Sequence, residues 1–147
     1  YNLRPYQLDR FGLTEAIRYM LEETSKTSSV DCDCTVDEIE GLFSKESEIN
    51  IYRIVQESVN NIMKHSGATQ ARVAVKKIDS EVILEIRDNG KGFDSAIRSE
   101  LPGERSGLGL FGIQERVKLL GGNCSIRSVP TRGTKIIISI PIKQAIK

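Results

Sequence analysis

One segment limits what this chain can fold into more than any other. Between Glu48 and Lys64, the residues Ile51, Ile54, Val55, Val59 and Ile62 recur at three- and four-residue spacing. That period gathers them into one stripe, which predicts a helix packed on a core. His65-Ser66-Gly67 ends the helix, and Gly67 suits the left-handed position that closes one. The rest of the chain must supply a surface for the stripe.

Much of that surface follows a period of two. Ala71, Val73 and Val75 alternate with Arg72 and Lys76, and Val82, Leu84 and Ile86 alternate with Glu81, Glu85 and Arg87. With Asp79-Ser80 as the turn, these read as a hairpin. Ser125 to Val129 and Thr134 to Ile140 predict a second hairpin around Pro130-Thr131-Arg132-Gly133. Cys32 to Val36 reads as a first strand with one buried face. Residues 12–23 read as a helix on Leu13, Ile17, Met20 and Leu21, followed by a polar loop from Glu22 to Ser29. Leu110 to Leu120 reads as another helix, stopped by Gly121-Gly122, and the polar stretch before it, 94–106, reads as a surface segment. About five strands, mostly antiparallel, with about three helices grouped between them predict an α+β two-layer sandwich with a mixed sheet.

The chain has 147 residues, enough for one domain with a real core. Its 39% hydrophobic and 28% charged residues exclude a disordered or fibrous class. Twenty-one basic and twenty acidic residues nearly cancel, leaving +1. No basic stripe is visible along the sequence, and Lys76-Lys77 reads as a solvated strand end, so nucleic-acid binding is not expected. No apolar run approaches the ~20 residues that cross a bilayer, and no signal peptide is visible. The start at Tyr1 reads as an internal point of a longer protein. Cys32, Cys34 and Cys124 form no metal-ligand pattern. Cys32 and Cys34 would share a strand face as small hydrophobes, and unpaired thiols suit a reducing cytoplasm.

Three clusters carry polar chemistry. Glu57, Asn61, Lys64 and His65 fall in one arc of the periodic helix, beside its apolar stripe. At about 100° per residue, Asn61 lies about 40° from Glu57, Lys64 about −20° and His65 about 80°. A carboxylate with a carboxamide suits Mg²⁺, and a lysine suits phosphate, though a solvated face with i,i+4 pairs fits this helix equally well. Asp88-Asn89-Gly90-Lys91-Gly92-Phe93 has the form of a turn, yet an Asp there can accept from an exocyclic amine while glycines let a flat ring approach. Gly107-Leu108-Gly109-Leu110-Phe111-Gly112 opens a helix and offers backbone N–H groups to an anion. It spells G-x-G-x-x-G, but no strand directly precedes it and no acid follows about 20 residues on, which argues against a dinucleotide fold.

The order of these clusters is more specific than any one of them. Over roughly residues 32 to 142 it resembles the GHKL ATP-binding fold shared by gyrase-type ATPases and histidine kinases. Glu57 to His65 resembles the N box, Asp88 to Phe93 the G1 box and Gly107 to Gly112 the G2 box, with Thr134 matching a threonine that helps hold adenine. The run from Gly107 to Val117, and Leu3-Arg4-Pro5, Leu8-Asp9 and Gly12-Leu13, resemble the subclass that signals to NarL-type response regulators, which includes nitrate sensors and DesK-like kinases.

That resemblance implies ATP and Mg²⁺ as ligands, with Asn61 on the metal and Lys64 or His65 reaching phosphate. Asp88 would bind the adenine amine. Gly90 and Gly92 would line the base, and Phe93, Gly107, Leu108, Gly109 and Leu110 would complete the nucleotide site. Residues 94–106 would form a lid, in which Arg105 is the candidate for the γ-phosphate, and Glu57 would take a metal-water or structural role. The subclass also implies residues 1–23 as linker and end of a dimerisation region, and 24–147 as the catalytic domain. The only histidine is His65, so the phosphoacceptor is expected upstream of Tyr1, in a dimerisation domain outside this chain. A homodimeric parent, open to a membrane anchor, with this domain in the cytoplasm, and a NarL-type regulator complete the expectation. A non-catalytic nucleotide-sensing module and an anti-sigma-like serine kinase are the alternatives on the same fold.

Overall fold

A computed structural model describes residues 3–92 and 110–142. The elements are α1 (Tyr6–Phe11), α2 (Leu13–Lys26), β1 (Asp31–Val36), α3 (Lys45–His65), β2 (Gln70–Ile78), β3 (Glu81–Asp88), α4 (Leu110–Leu119), β4 (Asn123–Val129) and β5 (Gly133–Pro141). The strands form one sheet in the order β1-β2-β3-β5-β4; only β1 and β2 run parallel. The expected α+β mixed sheet is therefore present, with four helices among the described residues instead of about three.

The predicted central helix becomes α3, longer at its start than the apolar period shows. Ser44 caps it, its hydroxyl accepting from the Ser47 N–H at 3.1 Å, and Glu46 and Glu48 sit in the first turn, where carboxylates complement the helix dipole. Ile51, Ile54 and Val55 are completely buried, and Val59 and Ile62 nearly so. Gly67, just past the helix, has φ +67°, as expected for its closing residue.

The helix expected over 12–23 runs on to Lys26, through polar residues taken for a loop. Polarity alone does not end a helix: the Thr24 hydroxyl donates back to the Met20 carbonyl, and Lys26 pairs with Glu23 at 3.3 Å. α1, unforeseen, is too short to show a period, but its Leu8 joins the core. Arg18 donates to the Val36 carbonyl at 2.6 Å and the Ile39 N–H donates to the Thr14 hydroxyl at 2.9 Å, tying α2 to β1 and the segment after it.

Alternation along the strands sorts the sheet into two faces. Val73, Val75, Val82, Leu84, Ile86, Ile136, Ile138 and Ile140 meet the helices in one core. The opposite set, small Ala74 and Gly133 apart, stays exposed or half-exposed. β1 departs from expectation. Cys32 and Cys34 do share a face, with sulfurs 3.4 Å apart, but no residue of this edge strand is buried and Cys34 is exposed. Pairing on one side only leaves its inner face under a partial cover.

Register also creates something the linear sequence hides. Arg72 stands opposite Arg87, Arg87 opposite Lys135, and Lys135 opposite Arg127. The absence of a basic stripe along the sequence is corrected by the fold, because each strand contributes one cation to a row on the outer face.

Candidate functional site

The site begins where β3, β5 and β4 end together. Asp88 pairs in register with Thr134, and Thr134 with Ser128, all on the helix side of the sheet. The Thr134 and Ser128 hydroxyls are 2.8 Å apart, and Ser128 also donates to the Gly133 carbonyl at 3.2 Å. Asp88 is half-buried and accepts from the Gly90 N–H at 2.7 Å. Burial pushes its carboxyl above the usual aspartate range, and the Gly90 hydrogen bond offsets this only in part. A desolvated carboxylate facing a cavity is a strong acceptor awaiting a donor.

The loop after Asp88 is pressed between neighbours. The Lys91 N–H donates to the Ser66 carbonyl at 2.7 Å, and a Cβ on Gly90 would lie 2.2 Å from that same oxygen. Gly92 has φ +63°, and a Cβ there would meet the Val129 carbonyl at 2.2 Å. Only glycine satisfies both demands at Gly92. Asn89 locks the other side: its carboxamide oxygen accepts from Thr69 and Gln70 N–H groups at 2.9 and 3.0 Å, and its NH₂ donates to the Thr69 hydroxyl at 3.0 Å.

Between this loop and α3 lies a cavity of about 70 Å³. Asn61, Asp88, Gly92, Leu110 and Thr134 line it, as do Ser58, Ile62, Ser66, Ile86, Lys91 and Ile136. Ile62, Ile86, Leu110 and Ile136 give it an apolar wall, with Asp88 and Thr134 at the strand ends and Asn61 on the helix. Such a lining suits an apolar group that carries a hydrogen-bond donor for Asp88.

The structure brings five of the expected residues, Asn61, Asp88, Gly92, Leu110 and Thr134, around that cavity, with Gly90 buried in the loop beside it. Glu57 and Lys64 are on α3 but exposed and outside the lining. His65 ends α3. Phe93, Arg105, Gly107, Leu108 and Gly109, and with them the expected lid, lie outside the described residues.

Sequence reasoning missed several contributors. Ser58 precedes Asn61 by three residues, so the helical period could have found it. Ser66, Asn89 and Ser128 act through backbone contacts and strand register, which no linear pattern displays. Arg116 of α4 donates to the Asn50 carboxamide of α3 at 2.7 Å, bracing the two helices. Burial and the nearby Arg53 charge pull its guanidinium down, and Glu57 counters them.

Comparison with known proteins places the chain in a family and a fold. Residues 46–144 match the family model described as histidine kinase-, DNA gyrase B- and HSP90-like ATPase. The chain is 34% identical over 142 residues to the signal transduction histidine-protein kinase/phosphatase DegS of Brevibacillus brevis, covering 97% of this chain and 36% of that protein. It is 35% identical over 142 residues to DegS of Bacillus subtilis (strain 168), covering 95% of this chain and 36% of that protein. The chain thus spans about a third of the length of these relatives. Among solved structures, the histidine kinase domain of the Erythrobacter litoralis EL346 blue-light activated histidine kinase superposes with a TM-score of 0.72 at 16% identity, over 88% of this chain and 61% of that one. The catalytic domain of histidine kinase ThkA superposes with a TM-score of 0.68 at 18% identity, over 93% of both chains. At such identities these two likenesses concern the fold.

Proposed function

Since the chain belongs to the family of histidine kinase-, DNA gyrase B- and HSP90-like ATPases, we propose that it is the ATP-binding catalytic domain of a two-component sensor kinase, passing the γ-phosphoryl of ATP to a histidine in a dimerisation domain outside this chain. The observation that carries the proposal is one cavity where Asp88, Thr134 and Gly92 meet Asn61 over an apolar wall. In this reading the Asp88 carboxylate accepts from the adenine amine, and Thr134 and Gly92 border the ring. Gly90 admits the ring only indirectly, by letting the loop press against Ser66. Phe93, Gly107, Leu108 and Gly109, outside the described residues, are proposed with Leu110 as further nucleotide-binding residues, and Lys64 and His65, at the end of α3, as the groups for phosphate.

Among the described residues no three His, Cys, Asp or Glu side chains gather as a metal site. That fits Mg²⁺, which is commonly held by one or two protein groups plus substrate phosphates. Asn61 offers a carboxamide oxygen to the cavity and has no hydrogen-bond partner among the described residues. Bound there with ATP, Mg²⁺ would neutralise charge on the transferred group. Glu57 is assigned to a metal-bound water or to the Arg116 bracket, away from the base. A NarL-type response regulator, a homodimeric parent and a cytoplasmic location are proposed on the subclass resemblance. No helix among the described residues is long and apolar enough to cross a membrane.

The test separates holding a nucleotide from using it. Asn61→Ala should lower phosphotransfer from Mg-ATP to a supplied dimerisation domain by at least about 100-fold, the weight of one electrostatic contact at a reacting group. Metal-free ADP should still bind within a few-fold of the parent affinity, roughly the margin of a lost neutral contact. Equal loss of both, together with the circular dichroism spectrum, would make Asn61 a structural residue. No change in either would move the metal elsewhere.

A further inference from the structure

The outer face of the sheet carries a row of cations that the proposed chemistry does not use. Arg72 on β2, Arg87 on β3, Lys135 on β5 and Arg127 on β4 occupy one register line, each directly opposite the next. Like charges in direct opposition destabilise a sheet, so the arrangement works against the fold that displays it. General basicity is no explanation, because the whole chain carries only +1. Internal neutralisation is thin: Arg72 lies 3.6 Å from Asp33, whose side chain is 71% exposed, and Arg87 lies 3.4 Å from Glu85. Lys135 and Arg127 have no ion-pair partner among the described residues, nor has Arg132 in the turn beyond them.

We propose that this face docks an acidic polypeptide segment, whose carboxylates lie along the Arg72–Arg87–Lys135–Arg127 line. Charge complementarity asks for an anion, and the surroundings select its class. With strands ~4.8 Å apart, the row spans ~14 Å, room for carboxylates presented on successive turns of a helix or alternate residues of a strand. Three of the row's cations are arginines, whose planar forks take carboxylates in paired hydrogen bonds. The outward-facing residues of the described strands include no Phe, Tyr or Trp, so the face has no platform on which bases would stack. Among the described residues of this face the exposed large apolar ones, Val129 and Ile78, stand at opposite ends of the sheet, and Ile83 and Ile137 between them are only half-exposed.

The row sits one residue away from the nucleotide row and on the other face: Arg87 precedes Asp88, Lys135 follows Thr134, and Arg127 precedes Ser128. The cleft along the row is nevertheless bordered by Asp88 and Thr134, which also line the cavity, so the two faces meet at the strand ends.

The experiment uses this chain, a fluorescein-labelled Glu-rich peptide, phosphatidylcholine vesicles containing phosphatidylglycerol, and a single-stranded oligonucleotide. Peptide binding by anisotropy should weaken as salt rises through the range where the screening length falls to about 10 Å. The combined Arg72→Gln, Arg87→Gln, Lys135→Gln and Arg127→Gln variant should lose at least about tenfold in peptide affinity. Its ADP affinity and Tm should be no lower than the parent's, since repulsion has been removed. Should the combined variant fold poorly, Lys135→Gln with Arg127→Gln removes two cations that have no ion pair among the described residues and should give the same direction. No peptide binding at low salt, or binding indifferent to both variants, would overturn the proposal. Tighter binding of vesicles or oligonucleotide through the same residues would overturn its polypeptide assignment. Failure of ADP binding in the unaltered chain would strike the nucleotide reading and leave this one standing.

Discussion

Asp88 serves ligand and fold in opposite directions. Its folded pKa is raised by burial, so the folded chain holds the proton to a higher pH than the unfolded chain does. Stability contributed by the protonated carboxyl is present below the unfolded value and is lost as pH rises through the folded one. At neutral pH the ionised group therefore costs stability, and Asp88→Asn removes that cost while its carboxamide oxygen can still accept from Gly90. The variant should melt no lower than the parent at pH 7. Its affinity for ADP should fall by about 2–3 kcal/mol, roughly 30- to 150-fold, because an acceptor facing the adenine amine is lost. Calorimetry giving equal affinities would remove the adenine assignment; a lower melting temperature would make Asp88 a fold residue. The glycines of the two boxes should also divide. Gly92→Ala forces φ +63° and a 2.2 Å approach to the Val129 carbonyl, and should cost about 1–3 kcal/mol or more. Gly112, in α4 with no atom of the described residues within 4 Å of an added Cβ, should stabilise by about 0.5–1 kcal/mol on replacement by Ala. Urea titrations of both variants give the comparison, and equal effects would contradict it.

At the scale of elements, α3 was the most legible part of the chain because its burial is one-sided and its five stripe residues repeat over about three turns. Its cap was not, since Ser44 lies outside the apolar period and acts through the Ser47 N–H. Ser44→Ala should lower global stability by about 1 kcal/mol and leave ADP affinity unchanged, because the cap is at the end of α3 far from Asn61. A simultaneous loss of binding would mean that helix fraying reaches the cavity. The hairpins were readable from alternation, and their residues carry the predicted faces. What alternation cannot supply is which strand stands beside which. β5 inserts between β3 and β4, and that placement sets Thr134 beside Asp88 and Ser128 beside Thr134. The same insertion lines up Arg87, Lys135 and Arg127. Half of the candidate site, and all of the cation row, are properties of register. β1 was misread for a related reason: alternation in Cys32–Val36 marks a shared face but not whether anything covers it.

The whole molecule places its proposed chemistry at one end of the sheet and offers no acceptor of its own on another element. Its only histidine, His65, ends the helix that carries Asn61, one turn further on. Phosphoryl transfer depends on attacking and leaving groups in line across the phosphorus, with positioning and charge neutralisation as the main contributions of the protein. A histidine on the helix proposed to hold the phosphates belongs to the binding side of that geometry, so the nucleophile must come from elsewhere. The chain incubated alone with Mg-ATP should therefore bind nucleotide yet gain no label on itself. Added to a separate dimerisation domain from the same parent protein, it should label that domain with phosphate that is lost in acid and retained in base, the behaviour of phosphohistidine. Acid-labile label on the isolated chain would show that His65 or another internal group is the acceptor, and the division of labour proposed here would fall. Acid-stable phosphoserine on an added partner would favour the serine-kinase alternative. Binding without transfer to any supplied domain, in a preparation whose ADP affinity is intact and Asp88-dependent, would instead identify a nucleotide-sensing module.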